Sequence, residues 1–195
     1  LILNNNLETE TLLGRGRNYG MELSIDKKGE FFSGKFSYSF SRSMHQVYDG
    51  QNATINRGEW FSANFDQPHS LKLFLNVVAS KRDRFNVNFT YNTGRPITAP
   101  FGTYIVNGAV VSNFSDRNQF RLPSYHRLDL GYTFSLNRRK SVRYKSDLTI
   151  SFYNFYGRKN AFSIFYRQET GSPINALKLS VIGTIIPSIS YNFQF

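Results

Sequence analysis

The sequence predicts an all-β fold of long antiparallel strands, and three observations carry that expectation. Seven segments alternate apolar and polar residues with period two, each with a consistent apolar parity. No stretch repeats at helical spacing. Aromatics make up 16% of residues (12 Tyr, 19 Phe, 1 Trp), yet only 40% of the chain is hydrophobic. That balance suits strands with one apolar face better than a large two-sided core.

The elements follow in chain order. In 18–27, Tyr19, Met21, Leu23 and Ile25 alternate with Gly20, Glu22, Ser24 and Asp26. In 31–41, Phe32, Phe36, Tyr38 and Phe40 oppose Ser33, Lys35, Ser37 and Ser39. In 69–80, Leu71, Leu73, Leu75 and Val77 form one face, while Lys72, Phe74, Asn76 and Val78 make a mixed one. In 84–92, Phe85, Val87, Phe89 and Tyr91 interleave with Asn86, Asn88, Thr90 and Asn92. In 125–137, Leu128, Leu130, Tyr132, Phe134 and Leu136 oppose Arg127, Asp129, Gly131, Thr133 and Ser135. In 146–156, Leu148, Ile150 and Phe152 oppose Asp147, Thr149 and Ser151. The seventh, 187–195, sets Ile189, Tyr191, Phe193 and Phe195 against Ser188, Ser190, Asn192 and Gln194.

A soluble sandwich and a transmembrane barrel produce the same alternation with opposite faces outward. Three features favour the barrel. The strands run nine to thirteen residues, about what a tilted strand needs to cross a bilayer and longer than the usual ~5–6. Aromatics collect at the ends of the apolar faces (Tyr19, Tyr38, Phe40, Tyr91, Phe134, Tyr191, Phe193, Phe195), as interfacial girdles do. The connections also sort by length: 27–30 and 81–83 are tight turns and 138–145 is moderate, whereas 42–68, 93–124 and 157–186 are long. Short turns on one side and long loops on the other suit an outer-membrane barrel. Within 93–124, "GTYIVNGAVV" reads as a small hairpin around Asn-Gly. With short turns in the periplasm, seven strands would start outside and finish inside, against the even parity of complete bacterial barrels. The expectation is therefore that residues 1–195 are the C-terminal part of one larger barrel domain.

Other classes are weakly supported. The formal charge is +11, but the basic residues gather in connections, "KRDR" (81–84), "NRRKSVRYK" (137–145) and "GRK" (157–159). They do not form the aromatic-lined basic face that nucleic acid requires, so no nucleic-acid partner is expected. Cysteine is absent, which removes disulfides and thiolate metal sites. His45, His69 and His126 have no second ligand at helical or strand spacing, and there is no HExxH, GxSxG or phosphate-loop context. His126 and Asp129 fall on opposite faces of one strand. No catalytic residue, metal or cofactor is expected. "LILNNNLETE" carries neither a basic n-region nor an apolar h-region, so no signal peptide is read there.

Several stretches resemble TonB-dependent outer-membrane receptors of the Bacteroidetes type. They are "RNYGMELSIDKKGEFFSGKFSYSFSRS" (17–43), "NRGEWFSANFDQPHSLKL" (56–73), "YNTGRPIT" (91–98), "NQFRLPSYHRLDLGYTF" (118–134), "ISFYNFYGRKNAFSIFYRQ" (150–168) and "LSVIGTIIPSISYNFQF" (179–195). Their order is that of the family's last barrel strands. The resemblance implies a multi-pass protein of the bacterial outer membrane, with a barrel of about 22 strands embedded in lipid. It further implies a plug domain and a TonB system acting through a plug, both absent from these residues, and leaves room for a surface lipoprotein partner. Tyr191, Phe193 and Phe195 would form the aromatic signal read by the barrel-assembly machinery. Glu22, Asp26, Lys35, Lys72, Arg127 and Asp129 would face the lumen and the plug.

The long loops are the candidate ligand region. Tyr48, Trp60 and Phe61 lie on 42–68, and Phe101 and Tyr104 on 93–124. Such aromatics can stack on a ligand or pack the loops onto the barrel rim. The expected function is energised import of a scarce or large ligand, whether oligosaccharide, peptide, metal chelate or cobalamin. The alternative is a structural barrel subunit of a cell-surface assembly.

Overall fold

The computed structural model describes residues 12–48, 55–137, 145–167 and 174–194. Its strands are β1 (Gly14–Lys27), β2 (Phe32–Val47), β3 (Phe61–Ser62), β4 (His69–Val78), β5 (Asp83–Asn92), β6 (Pro96–Ile97), β7 (Pro100–Val106), β8 (Ala109–Phe114), β9 (Phe120–Arg121), β10 (Tyr125–Ser135), β11 (Lys145–Tyr153), β12 (Ser163–Arg167), β13 (Asn175–Leu179) and β14 (Ile186–Gln194). A 3-10 turn, Asn56–Gly58, precedes β3. No helix among the described residues is long and apolar enough to cross a membrane.

The seven expected segments form one antiparallel sheet in the order β1-β2-β4-β5-β10-β11-β14, and β3 adds to β2. Register keeps the two faces separate across the sheet. On one face Ile25 meets Phe36, Phe36 meets Leu73 and Leu73 meets Phe89. Phe89 then meets Leu128, and further along the same face Val87 meets Leu130, Leu130 meets Phe152 and Ile150 meets Ile189. The other face sets Ser24 against Ser37, Ser37 against Lys72, Lys72 against Thr90 and Thr90 against Arg127. On β4 Phe74 and Val78 depart from this, lying on the polar face with Phe74 between Lys35 and Asn88 and Val78 opposite Arg84. A one-residue slip would reverse every side chain, so this uninterrupted apolar face requires correct register at all six junctions.

The connections follow from local chemistry. At the β4–β5 turn, Ser80 donates its hydroxyl to the Asp83 carboxylate and accepts the N–H groups of Arg82 and Asp83 at 3.1 Å, a side-chain-built turn. The β7–β8 hairpin turns on Asn107 and Gly108 at φ 49° and 81°, the paired positive φ of a two-residue type I′ turn. The chain leaves the sheet for its long segments at one end, after β2, β5 and β11, and the β1–β2 and β4–β5 turns lie at the other.

Almost none of the apolar surface is enclosed. Among the described residues only Phe61 (7% exposed) and Ala63 (0%) are buried hydrophobics, whereas Met21, Leu23, Ile25, Phe85, Ile189 and Tyr191 are exposed. The accessible surface is 14600 Å², against about 9,500 Å² expected for a compact folded chain of this mass. The sheet does not close: β1 and β14 each pair on one side only. The described residues form an open sheet, with no second sheet packed over either face.

Candidate functional site

The loop end of the sheet is a polar junction built around a few enclosed side chains. Asp66, with no exposed side-chain surface, accepts the Ser43 N–H at 2.7 Å, pairs with Arg121 and lies 3.4 Å from Arg42. Burial alone would raise its pKa. The Ser43 N–H and the Arg121 and Arg42 guanidinium groups outweigh that penalty and hold the carboxyl below its ordinary value. Arg121 also donates to the carbonyls of Asp66 (2.6 Å) and Gly94 (3.1 Å), so one arginine fastens the second long loop to the first.

Asparagines complete the fastening. Asn56, Asn118 and Asn154 all adopt positive φ, a region Asn tolerates better than most residues. Asn118 donates from Nδ2 to the Ser62 carbonyl and to Asn64 Oδ1, both at 2.7 Å. Asn56 bonds the Arg117 backbone through both ends of its amide, at 2.9 and 2.7 Å. Asn154, 1% exposed, ends β11. Its N–H donates to Asp129 at 2.9 Å, its amide donates to the carbonyls of Arg158 (3.1 Å) and Thr184 (3.2 Å), and its Oδ1 accepts the Arg158 N–H at 3.1 Å.

Below this junction, on the polar face of β10, Arg127 donates to Asp129 at 3.0 Å and to the hydroxyls of Tyr125 and Tyr153 at 3.1 and 2.8 Å. Its guanidinium also lies 4.2 Å from the Tyr153 ring centroid, within cation–π range. Three open cavities, of about 230, 300 and 230 Å³, lie at this junction; the first and third reach Tyr125 of β10, the second lies among the long loops, and Arg95 lines all three.

The expected lumen residues share the polar face. Glu22 stands opposite Ser39, Lys35 opposite Asp26 and Phe74, and Lys72 opposite Ser37 and Thr90. Arg127 and Asp129 continue those rungs on β10; they are paired to each other. Tyr191 and Phe193 sit on β14 opposite Leu148 and Ser146, and both are exposed. Phe195 lies outside the described residues.

The loop aromatics divide. Tyr48 (65% exposed), Phe101 (63%) and Tyr104 (52%) are exposed. Trp60 is half-buried, with Arg17 4.5 Å from its ring centroid. Phe61 departs from the expectation of a presented aromatic. It pairs with His45 in the β2–β3 ladder, packs edge-on against that ring at 6.1 Å and is buried, so it serves packing. The structure does not bring these aromatics into one site: Tyr48 lines a cleft with Leu13 and Gln46, Trp60 lines another with Asn56 and Arg117, and Phe101 and Tyr104 lie on the β7–β8 hairpin. Sequence reasoning missed Asp66, Asn154 and Arg95. Their only signals were loop asparagines and the "TGRP" turn, which have no periodicity. No family model, no curated protein and no solved structure matches the chain.

Proposed function

We propose that these strands are part of a closed β-barrel of the bacterial outer membrane, belonging to a TonB-dependent receptor that imports a scarce or large ligand by energised transport. The observation that carries this reading is an apolar face continuous over seven strands with only Phe61 and Ala63 buried among the described residues. A water-soluble domain of this length encloses roughly 70% of its unfolded surface, and such a face left in water would be an aggregation site. Lipid on that face, and further strands on the open edges of β1 and β14, satisfy both the apolar surface and the backbone. The fastened loop junction supplies a rigid outer mouth over a polar lumen.

Outer-membrane fractionation, joined to uptake assays, tests the reading. Cells with and without the protein are offered oligosaccharides, peptides, metal chelates and cobalamin, with the inner-membrane proton gradient intact or collapsed. Uptake of one class should require both protein and gradient. Location in the outer membrane without energised uptake of any class would favour the alternative, a structural barrel subunit of a surface assembly.

A further inference from the structure

Arg95 stands out at the junction because its backbone is fixed and its charge is uncommitted. A Cβ on Gly94 would lie 1.6 Å from the Leu122 carbonyl oxygen, so the chain passes there only as glycine. The Leu122 N–H donates to the Arg95 carbonyl at 2.9 Å, Pro96 is buried and pairs with Arg121, and Gln67 donates to the Thr93 carbonyl at 2.8 Å. On this fixed turn the Arg95 side chain is exposed and has no hydrogen-bond or ion-pair partner among the described residues.

The nearby acids are already engaged. Asp66 holds Arg42 and Arg121, Asp116 holds Arg57, and Asp129 holds Arg127. No Asp or Glu lines any of the three cavities that meet at Arg95. Their walls mix apolar and ring surface from Ile97, Leu122, Tyr125 and Phe162 with uncharged polar groups such as Asn92, Asn160 and Ser163. A guanidinium matches a carboxylate with two parallel N–H donors, and ring surface beside placed polar groups gives a ligand both a body contact and an orientation.

We infer that the Arg95 junction binds small organic anions, a carboxylate on a ring or apolar body, with the carboxylate on Arg95 and the body against Phe162 and Leu122. This rests on the transport reading for its purpose, since it names the chemical class the outer mouth selects.

The test uses benzoate and its neutral counterpart benzamide, with the protein purified in detergent from its own cell envelope and binding followed by saturation-transfer NMR. Benzoate should bind at least tenfold more tightly than benzamide. R95Q should lose at least tenfold in benzoate affinity, while K178Q, which removes one exposed charge on β13, should leave it unchanged. Heat-modifiable gel mobility reports whether each variant is folded. If R95Q does not fold, R95K decides: it keeps the charge, lacks the fork, and should lose several-fold. Equal binding of benzoate and benzamide, unchanged benzoate binding in the folded R95 variant, or an equal loss in K178Q would overturn the inference. Those results leave the transport reading standing, because outer-membrane location and gradient-dependent uptake decide that separately.

Discussion

Asp66 carries the loop junction as a single residue. A buried carboxylate is tolerable only with charged and N–H partners, and Asp66 has Ser43, Arg42 and Arg121. Asp66→Asn keeps the volume and removes the charge, so it should loosen the first two long loops by about 1.5–3 kcal/mol, the value of hydrogen bonds to charged groups. Hydrogen exchange of residues 61–68 and 118–122 measures it. Because the folded pKa is lowered, the stabilisation is fully present above the ordinary carboxyl value of 3.8 and is lost as pH falls through the lower folded value. Exchange protection should therefore hold from neutral pH to about 5 and fall in stronger acid, and Asp66→Asn should lack that acid step. At Gly94 the constraint is space, with the Leu122 carbonyl in the way. Gly94→Ala should separate the 92–96 turn from 121–122 and raise proteolytic nicking in 93–124, while the long sheet strands remain protected. Nicking equal to the parent would contradict the close approach.

At the scale of elements, the strands differ in what each face must meet. Leu130 lies between Val87 and Phe152 on the apolar face, and Leu130→Arg should reduce assembled protein, since arginine at a bilayer midplane costs on the order of 2–4 kcal/mol. Asn88 is exposed on the polar face opposite Asp129, so Asn88→Arg should assemble nearly as well as the parent; heat-modifiable mobility after membrane extraction compares them. Asn88 is a better contrast than Thr133, which is 8% exposed and hydrogen-bonded to Thr149 at 2.9 Å. All seven sheet strands and their facing were legible in the sequence because period-two alternation records which side each residue takes. Boundaries were less so. β1 begins at Gly14 and β2 runs to Val47, through "GRGR" and "RSMHQV", where backbone pairing continues after the apolar alternation stops. The hairpin of β7 and β8 was legible from Asn-Gly. That of β12 and β13 was not, because each strand has only five residues. The candidate site was mostly illegible: Asp66 and Arg121 meet across 55 residues, and such polar contacts leave no local period.

The described residues present an extensive apolar face and almost no core, so their stability depends on what lies against that face. In the proposed barrel, lipid on one side and an aqueous lumen on the other would account for the alternation, the sorted loops and the exposed surface together. The most direct test exploits the absence of cysteine. Single cysteines placed along β5 at 84–91 take a nitroxide spin label, and in outer-membrane vesicles each label is exposed to oxygen, which concentrates in lipid, and to a water-soluble nickel chelate. The expected result is strict alternation, with labels at 85, 87, 89 and 91 colliding mainly with oxygen and those at 84, 86, 88 and 90 mainly with nickel. Labels at 85–91 reached by neither agent on the apolar parity would mean that protein covers that face. Nickel access on both parities would mean water does, and either outcome would contradict the membrane barrel.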